Sequence, residues 1–487
     1  MSDPNPARRR PRQRLLTVNT DQGERHASWL ELFFDLVFVL AVAKVAAVLA
    51  KETDLVGFLK YVALFVPVWW SWVGYTFYAD RFETDETQYR VMMFAAMLAV
   101  AALAVTLGGA FTGEGDAAVI VCYVLVVLVL VALYARTAVH VPLARALAWQ
   151  YILGLGGTAA ILLASLLFQP PLRYGVWAAA IVLALITPFL NIRQTRIIPF
   201  DLDHIPERFG LFTIIVLGEA VIATANGASG VPWNLMTIGV AALGFAMAAC
   251  IWWINFEFVE DDAIRSDRLF PRFVYLYGHF FIVASIVAIG IGVEHAIKEA
   301  DYPRLPLPTL ALFGGGIAAY IAAITFIKLA SGVCRLLFIR VGMIVVPIAM
   351  ALAGSYLPPI AVVAAFLAVL GLGVWLEATF AGKRETIAFT RLSPCEHEGK
   401  AIVFDPRSSE GCEECIKNNY KWVHLRLCLT CGHVGCCDSS VYKHAAKHFH
   451  AEDHPIMASL EEEENWAWCY ADKRYVPLRR PTGKLSI

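Results

Sequence analysis

From Trp29 to Phe380 the chain is a succession of apolar runs, each about 20 residues long, divided by short polar breaks. A hydrocarbon core about 30 Å thick takes about 20 residues of helix to cross, and a segment inside it must satisfy its own backbone groups. The pattern therefore predicts a polytopic bundle of membrane helices. Twelve spans are counted, at about residues 29–49, 55–78, 89–111, 117–139, 146–168, 173–191, 208–226, 232–256, 272–297, 308–330, 337–356 and 358–380. Breaks such as "FQPPLR", "SGVPW" and "YLPP" carry the Pro and Gly at which helices stop. Charged residues make up 17% of the chain, against about a quarter in soluble domains. After Lys383 the chain turns polar and rich in Cys and His. Four segments follow: a basic tail at 1–28, a transmembrane domain at 29–380, a linker at 381–392 and a soluble module at 393–487. The fold class is mostly α, a helix bundle with a small α+β domain behind it.

Lys and Arg orient the spans, because they are enriched in cytoplasmic loops. With the N-terminus inside, the cytoplasmic side receives Arg8, Arg9, Arg10, Arg12, Arg14, Arg81, Arg136, Arg145, Arg193, Arg196, Arg265, Arg268, Arg335, Lys383 and Arg384. The opposite loops hold Lys51, Arg173, Lys298 and Arg304. Both termini are thus expected in the cytoplasm of a multi-pass cell-membrane protein. The basic N-terminal stretch has no apolar segment followed by a cleavage site, and is not read as a secretory signal. The net charge of −1 says nothing about nucleic acid, but no basic, aromatic-interleaved groove stands out, and no nucleic-acid partner is expected.

Two stretches recur. "HASWLELFFDLVFVLA" from His26 resembles "HIPERFGLFTIIVLGE" from His204, and "WWSWVGYTFYAD" from Trp69 resembles "WWINFEFVED" from Trp252. Two six-span halves would share one orientation, as in parallel-repeat carriers. Chance likeness of aromatic-rich helix ends is the competing reading.

Ionisable residues inside spans are costly and mark either function or pairing between helices. Glu31 and Asp35 lie one turn apart on one face of the first span, and Lys44 follows about 13 Å beyond Asp35. Glu31, Asp35, Glu257, Glu294 and Lys328 lie near span ends, where structural pairing is the plainer reading. Glu219 differs, because it is deep and has no charged neighbour in its own span. It is read as a functional carboxylate for a proton or cation, with Lys44 as its partner.

The stretches "ELFFDLVFVLAVAKV", "ERFGLFTIIVLGEAV", "WWINFEF" and "GVEHA" resemble the low temperature requirement protein A (LtrA) family over about residues 26–380. The resemblance implies a bacterial multi-span membrane protein and assigns it no substrate.

Eight of the eleven cysteines lie from Cys395 onward. Cys122, Cys250 and Cys334 stand alone in apolar runs and are read as small core residues. Cytosolic thiols stay reduced, so the clustered ones are read as metal ligands. The candidates are Cys395-x-His397, Cys412-x2-Cys415, Cys428-x2-Cys431, Cys436, His444-x3-His448-x5-His454 and Cys469. Paired thiolates with spaced histidines suit structural zinc. His424, His433, His450 and Cys437 are read as non-ligands.

These spacings resemble the UBP-type zinc finger, the ubiquitin-binding finger of some deubiquitinating enzymes and deacetylases, over about residues 393–476. The resemblance implies two or three zinc ions. Cys412, Cys415, Cys436 and His444 would make one site, and Cys428, Cys431, His448 and His454 a second. Cys395, His397 and Cys469 would make a third, with Asp472 where the family has a Cys. It also implies a pocket for a peptide C-terminus, with Trp468, Tyr470 and Tyr475 at its aromatic positions. The family's pocket Arg is Asp438 here, and Arg426 is the substitute considered. The competing reading of the aromatics is the core of a small module.

No length remains for a protease domain, so an enzyme is not expected. Two functions stay open. In one, the bundle is an ion- or proton-coupled carrier and the finger a regulatory or docking domain. In the other, the bundle is an anchor or sensor, and the finger recruits a protein partner.

Overall fold

A computed structural model of the chain describes residues 27–190, 198, 201, 204–258, 269–331 and 337–381 of the bundle. Beyond these it describes residues 395, 397, 399, 403, 405–408, 411–418, 420–438, 440–461, 466–472 and 474–476. Much of the charge that orients the spans lies outside these residues, including Arg8 to Arg14, Arg193, Arg196, Arg265, Arg268, Arg335, Lys383 and Arg384. Nearly all of the tail at 1–28 and the linker at 381–392 lie outside them too. The chain divides into two compact units, Met1–Trp375 and Leu376–Ile487.

Ser28 opens the first helix, α1 (Trp29–Lys51), with a capping box. Its hydroxyl accepts from the Glu31 amide at 3.3 Å, and its own amide donates to Glu31 Oε2 at 2.8 Å. Asp54 caps α2 (Leu55–Phe82) by accepting from the Gly57 amide. Then follow α3 (Thr87–Thr106), α4 (Asp116–His140), α5 (Arg145–Ser165) and α6 (Leu172–Leu190). The second series is α7 (His204–Ala228), α8 (Leu235–Phe258), α9 (Leu269–Lys298), α10 (Leu307–Ala330), α11 (Leu337–Ala353) and α12 (Pro359–Ala381).

Among the described residues, eleven helices are long and apolar enough to cross a membrane. The remaining one, α11, has 17 residues and is extended by a 3-10 turn at Gly354–Tyr356. The span expected at 337–356 is therefore a shorter apolar helix with a tightened end. Pro67, Pro188 and Pro347 lie inside helices instead of at their ends, which neighbouring helices in a bundle can accommodate. Large apolar side chains such as Trp29, Leu98, Val105 and Phe338 are exposed on the bundle surface, as lipid contact requires. Cys122 and Cys250 are half-buried on helix faces instead of lying in the core, and Cys334 is outside the described residues.

The two helix series pack alike. The first helix of each series (α1, α7) contacts the second and third, the third contacts the fourth, and the fourth contacts the fifth. The two first helices, α1 and α7, also meet each other. The contact between α7 and α9 is close because it is made by glycines. A Cβ added to Gly227 would meet Glu294 O at 2.8 Å, and one added to Gly290 would meet Ala220 Cα at 3.0 Å.

The second unit is built on a five-stranded antiparallel sheet in the order β2-β1-β3-β4-β5. Its strands are β1 (Leu425–Cys428), β2 (Val434–Cys436), β3 (Ile456–Ser459), β4 (Ala467–Cys469) and β5 (Arg474–Val476). Two short helices, α13 (Glu413–Lys417) and α14 (His444–Glu452), accompany them. Leu427, Leu429, Val434, Ile456, Ala458, Ala467 and Val476 form a small apolar core. So small a core is short of stabilising area, and cross-linking by metal is the usual remedy.

Candidate metal centres and membrane site

Among the described residues, three groups of ligand-type side chains come together in the sheet unit. Cys412, Cys415, Cys436 and His444 bring one atom each within 4.8 Å of one another; so do Cys428, Cys431, His448 and His454, and Cys395, His397, Cys469 and Asp472. In the first group His444 Nδ1 lies 3.2, 3.3 and 3.4 Å from the sulfurs of Cys412, Cys415 and Cys436. In the second, His448 Nε2 lies 3.3 Å from Cys431 Sγ and 3.2 Å from His454 Nδ1. In the third, Asp472 Oδ2 lies 3.0 Å from Cys395 Sγ and 3.2 Å from His397 Nδ1, and Cys469 Sγ is 3.8 Å from His397 Nδ1. Zinc held tetrahedrally by sulfur at about 2.3 Å and nitrogen at about 2.0 Å gives S···N edges of about 3.5 Å. The donor sets and their spacing fit zinc in all three groups.

Local backbone geometry sets these positions. Gly432 has φ +80° in the turn between β1 and β2, where a Cβ would meet Asp405 O at 2.8 Å, so "CLTCG" forms a tight knuckle. On β2, a Cβ at Gly435 would meet the Ala445 amide nitrogen at 2.6 Å. That lets α14 lie directly on the strand and puts His444 beside Cys436. Burial lowers the His444 and His448 rings below the usual histidine range, which favours the neutral ligating form. Burial, with Asp472 beside it, pushes the Cys395 thiol up to about 12, and burial pushes Cys428 up to about 11. Metal uptake there must displace thiol protons.

His433 is outside all three groups, as expected, but it has a role the spacing does not reveal. Its ring stacks on His448 at 4.1 Å, and its Nε2 lies 2.8 Å from Glu414 Oε1. Glu414 Oε2 in turn lies 3.5 Å from Cys412 Sγ. His433 and Glu414 therefore join the first group to the second. His424 and His450 take part in none of the groups, and Cys437 lies 3.5 Å from Ser440 Oγ.

The expected peptide-site residues lie around the sheet. Arg426 has its guanidinium 4.5 Å over the Trp466 ring and donates to Ser459 Oγ at 3.1 Å and Leu425 O at 2.9 Å. Half-buried Trp468 pairs in register with Met457 on β3 and Tyr475 on β5. Tyr475 is described by its backbone alone. Tyr470 stacks on Phe449 and donates its hydroxyl proton to Asp438 Oδ2 at 2.9 Å.

In the bundle, Glu31 and Asp35 meet Arg208 of α7. Arg208 Nη1 lies 2.5 Å from Glu31 Oε1, and Arg208 Nη2 lies 2.6 Å from Asp35 Oδ1. Asp35 Oδ1 also accepts from Trp72 Nε1 at 2.8 Å. His204 sits between Glu31, 3.5 Å from Nε2, and Asp80, 2.9 Å from Nδ1. All five ionisable side chains are buried. No sequence spacing links Asp80 to His204, because only the fold brings α2 and α7 together. Pairing between helices is thus the observed state of Glu31 and Asp35.

Glu219 does not meet Lys44, which is exposed on α1 and does not line the Glu219 cavity. The cavity has a volume of about 310 Å³ and lies among α1, α7 and α9. Alanines and Gly290 wall it; Glu219 and Glu294 face it, with Lys51 and Lys298 at the helix ends. Lys298 Nζ pairs with Glu294 Oε1 at 2.5 Å, whereas Glu219 makes no hydrogen bond or ion pair among the described residues. Gly218, beside Glu219, has nothing within 4 Å of a Cβ added to it. Of the other intramembrane charges, Lys328 is buried and Glu257 is exposed.

Residues 26–375 match the family model described as bacterial low temperature requirement A protein (LtrA), and residues 412–480 match the zinc finger found in ubiquitin-hydrolases and other proteins. An uncharacterized protein of Rhizobium meliloti (strain 1021) is 28% identical over 328 residues, 62% of this chain and 77% of that protein. Ubiquitin carboxyl-terminal hydrolase 44 of Ailuropoda melanoleuca is 34% identical over 102 residues, 20% of this chain and 13% of the hydrolase. The likeness to that enzyme is thus confined to a small part of its length. A solution NMR structure of a Rhodopseudomonas palustris protein is 42% identical, covers 20% of this chain and 99% of its own, and superposes with a TM-score of 0.17. The chain belongs to the bacterial low temperature requirement A (LtrA) family of membrane proteins and carries a UBP-type zinc-finger domain behind its helix bundle.

Proposed function

We propose that the bundle is a proton- or cation-coupled carrier and that the finger is a zinc-loaded cytoplasmic docking domain. The observation that carries the first part is the Glu219 cavity. Its single uncommitted carboxylate faces an aqueous-sized space between helices of both series, where a cation or a proton can be held and released. Glu294, already paired with Lys298, tunes that site, and Lys51 and Lys298 set the field at its mouth. The Glu31–Asp35–Arg208–His204–Asp80 cluster acts as the structural tie of α1, α2 and α7. Purified protein in liposomes should move a solute or cation in response to an imposed pH gradient. A screen of ions and small metabolites with no pH-dependent flux would overturn the carrier reading.

For the finger, the reading is three zinc ions, one per ligand group, as structural cross-links. Each group supplies four protein atoms, so no position is left for a catalytic water, and the domain is assigned no hydrolase activity. Its partner is a protein segment, with a free peptide C-terminus as the first class to test. Arg426, anchored over Trp466, would supply the cation, and Trp468 and Tyr470 the aromatic surface. A peptide that binds equally well with its terminal carboxylate free or amidated would remove Arg426 from that role.

A further inference from the structure

Four aromatic rings lie between the Glu219 cavity and the charge cluster at the other end of α7. Trp69 and Trp72 of α2 face Phe209 and Phe212 of α7. The ring centroids are 5.7 and 5.4 Å apart for Trp69 with Phe209 and Phe212, and 5.0 and 4.3 Å for Trp72 with the same two. The two indoles are 5.0 Å apart. All four side chains are buried. Their level follows from the helix rise: Phe209 adjoins Arg208, and Phe212 is about 10 Å short of Glu219 along α7. Residues of α1, α7 and α9 near their C-terminal ends share the cavity, so these helices run parallel and the cavity belongs to the Lys51/Lys298 end.

Two polar atoms distinguish this ring cluster from ordinary core. Trp72 Nε1 is bonded to Asp35, which ties the rings to the Asp35–Arg208 pair. Trp69 Nε1 is buried and has no hydrogen-bond partner among the described residues. A buried donor left unpaired is costly, so the rings are packed here at the expense of a hydrogen bond.

We propose that Trp69, Trp72, Phe209 and Phe212 are the barrier closing the Glu219 cavity toward the His204 end of the bundle. The Asp35–Arg208 and Asp80–His204 contacts hold α1, α2 and α7 together around it. A close-packed apolar layer of this kind excludes water and ions, and alternating access needs such a closure on one side of the site. The purpose assigned to the barrier rests on the carrier reading, but its test does not.

Cysteine introduced as Ala43→Cys, in the cavity wall, is treated in full-length protein in right-side-out and inside-out vesicles with a membrane-impermeant maleimide. Labelling at that site is read by peptide mass spectrometry, which separates it from the native cysteines. With the rings intact, the thiol should be labelled from the Lys298 side only. With Trp69→Ala and Phe212→Ala added, it should be labelled from both sides; Trp69→Phe, which keeps a ring, should leave labelling one-sided. Labelling from both sides with the rings intact, or one-sided labelling after their removal, would overturn the barrier. If the double variant does not fold, Phe212→Ala alone carries the same two outcomes. A bundle that shows no flux can still pass or fail this test, so the two readings fail separately.

Discussion

Arg208 is buried between two carboxylates of another helix, 2.5 Å from Glu31 and 2.6 Å from Asp35. Removing one member of a buried ion pair strands the other charge, typically at about 3–5 kcal/mol. Arg208→Met should therefore lower the thermal unfolding temperature in detergent strongly. Asp35→Asn should cost less, because the amide oxygen still accepts from Trp72. In the finger, His433 touches a ligand without being one. Stacked on His448 and bonded to Glu414, it fixes the ring that must meet the metal. His433→Ala should weaken zinc at that group by about 10- to 100-fold while leaving it bindable, which competition with a chelator of known affinity would measure. An unchanged affinity would show that the stacking does not orient the ligand.

Among helices, the close contact of α7 with α9 depends on Gly227, where an added Cβ would strike the Glu294 carbonyl. Gly227→Ala should cost about 1–3 kcal/mol as overpacking, seen as a lower unfolding temperature and an altered Glu219 cavity. The existence and type of these elements were legible in the sequence, since apolar runs of span length leave little choice but helix. Their rotation was not. The first helix is apolar nearly all round, so nothing in it says which side faces α7. Lys44 was therefore assigned to Glu219, whereas Ala43, Ala46 and Ala47 of the same helix line the cavity and Lys44 is exposed. Asp80 and His204 are 124 positions apart, and only tertiary packing brings them together. The ligand groups of the finger were easier to read, because spacing such as Cys412-x2-Cys415 is local, and the resemblance to a known finger supplied the distant partners. Asp472 Oδ2 lies 3.0 Å from Cys395 Sγ and 3.2 Å from His397 Nδ1.

Over the whole chain, the two units should respond to different perturbations. Full-length protein should hold three zinc ions per chain; one ion or fewer in a reduced, folded sample would contradict the reading. Chelation should unfold the finger, because metal binding is folding free energy in such domains, and should leave the unfolding of the bundle in detergent nearly unchanged. Reporter fusions at residue 228 and after residue 391 should give opposite sidedness, outside and cytoplasmic. The carrier reading itself is tested most directly by flux and unfolding measured together on Glu219→Gln in liposomes and detergent. The expected result is an unfolding temperature near that of the unaltered protein with pH-driven flux abolished. Flux that persists in Glu219→Gln, or folded yield that collapses with it, would contradict a carrier built on this carboxylate.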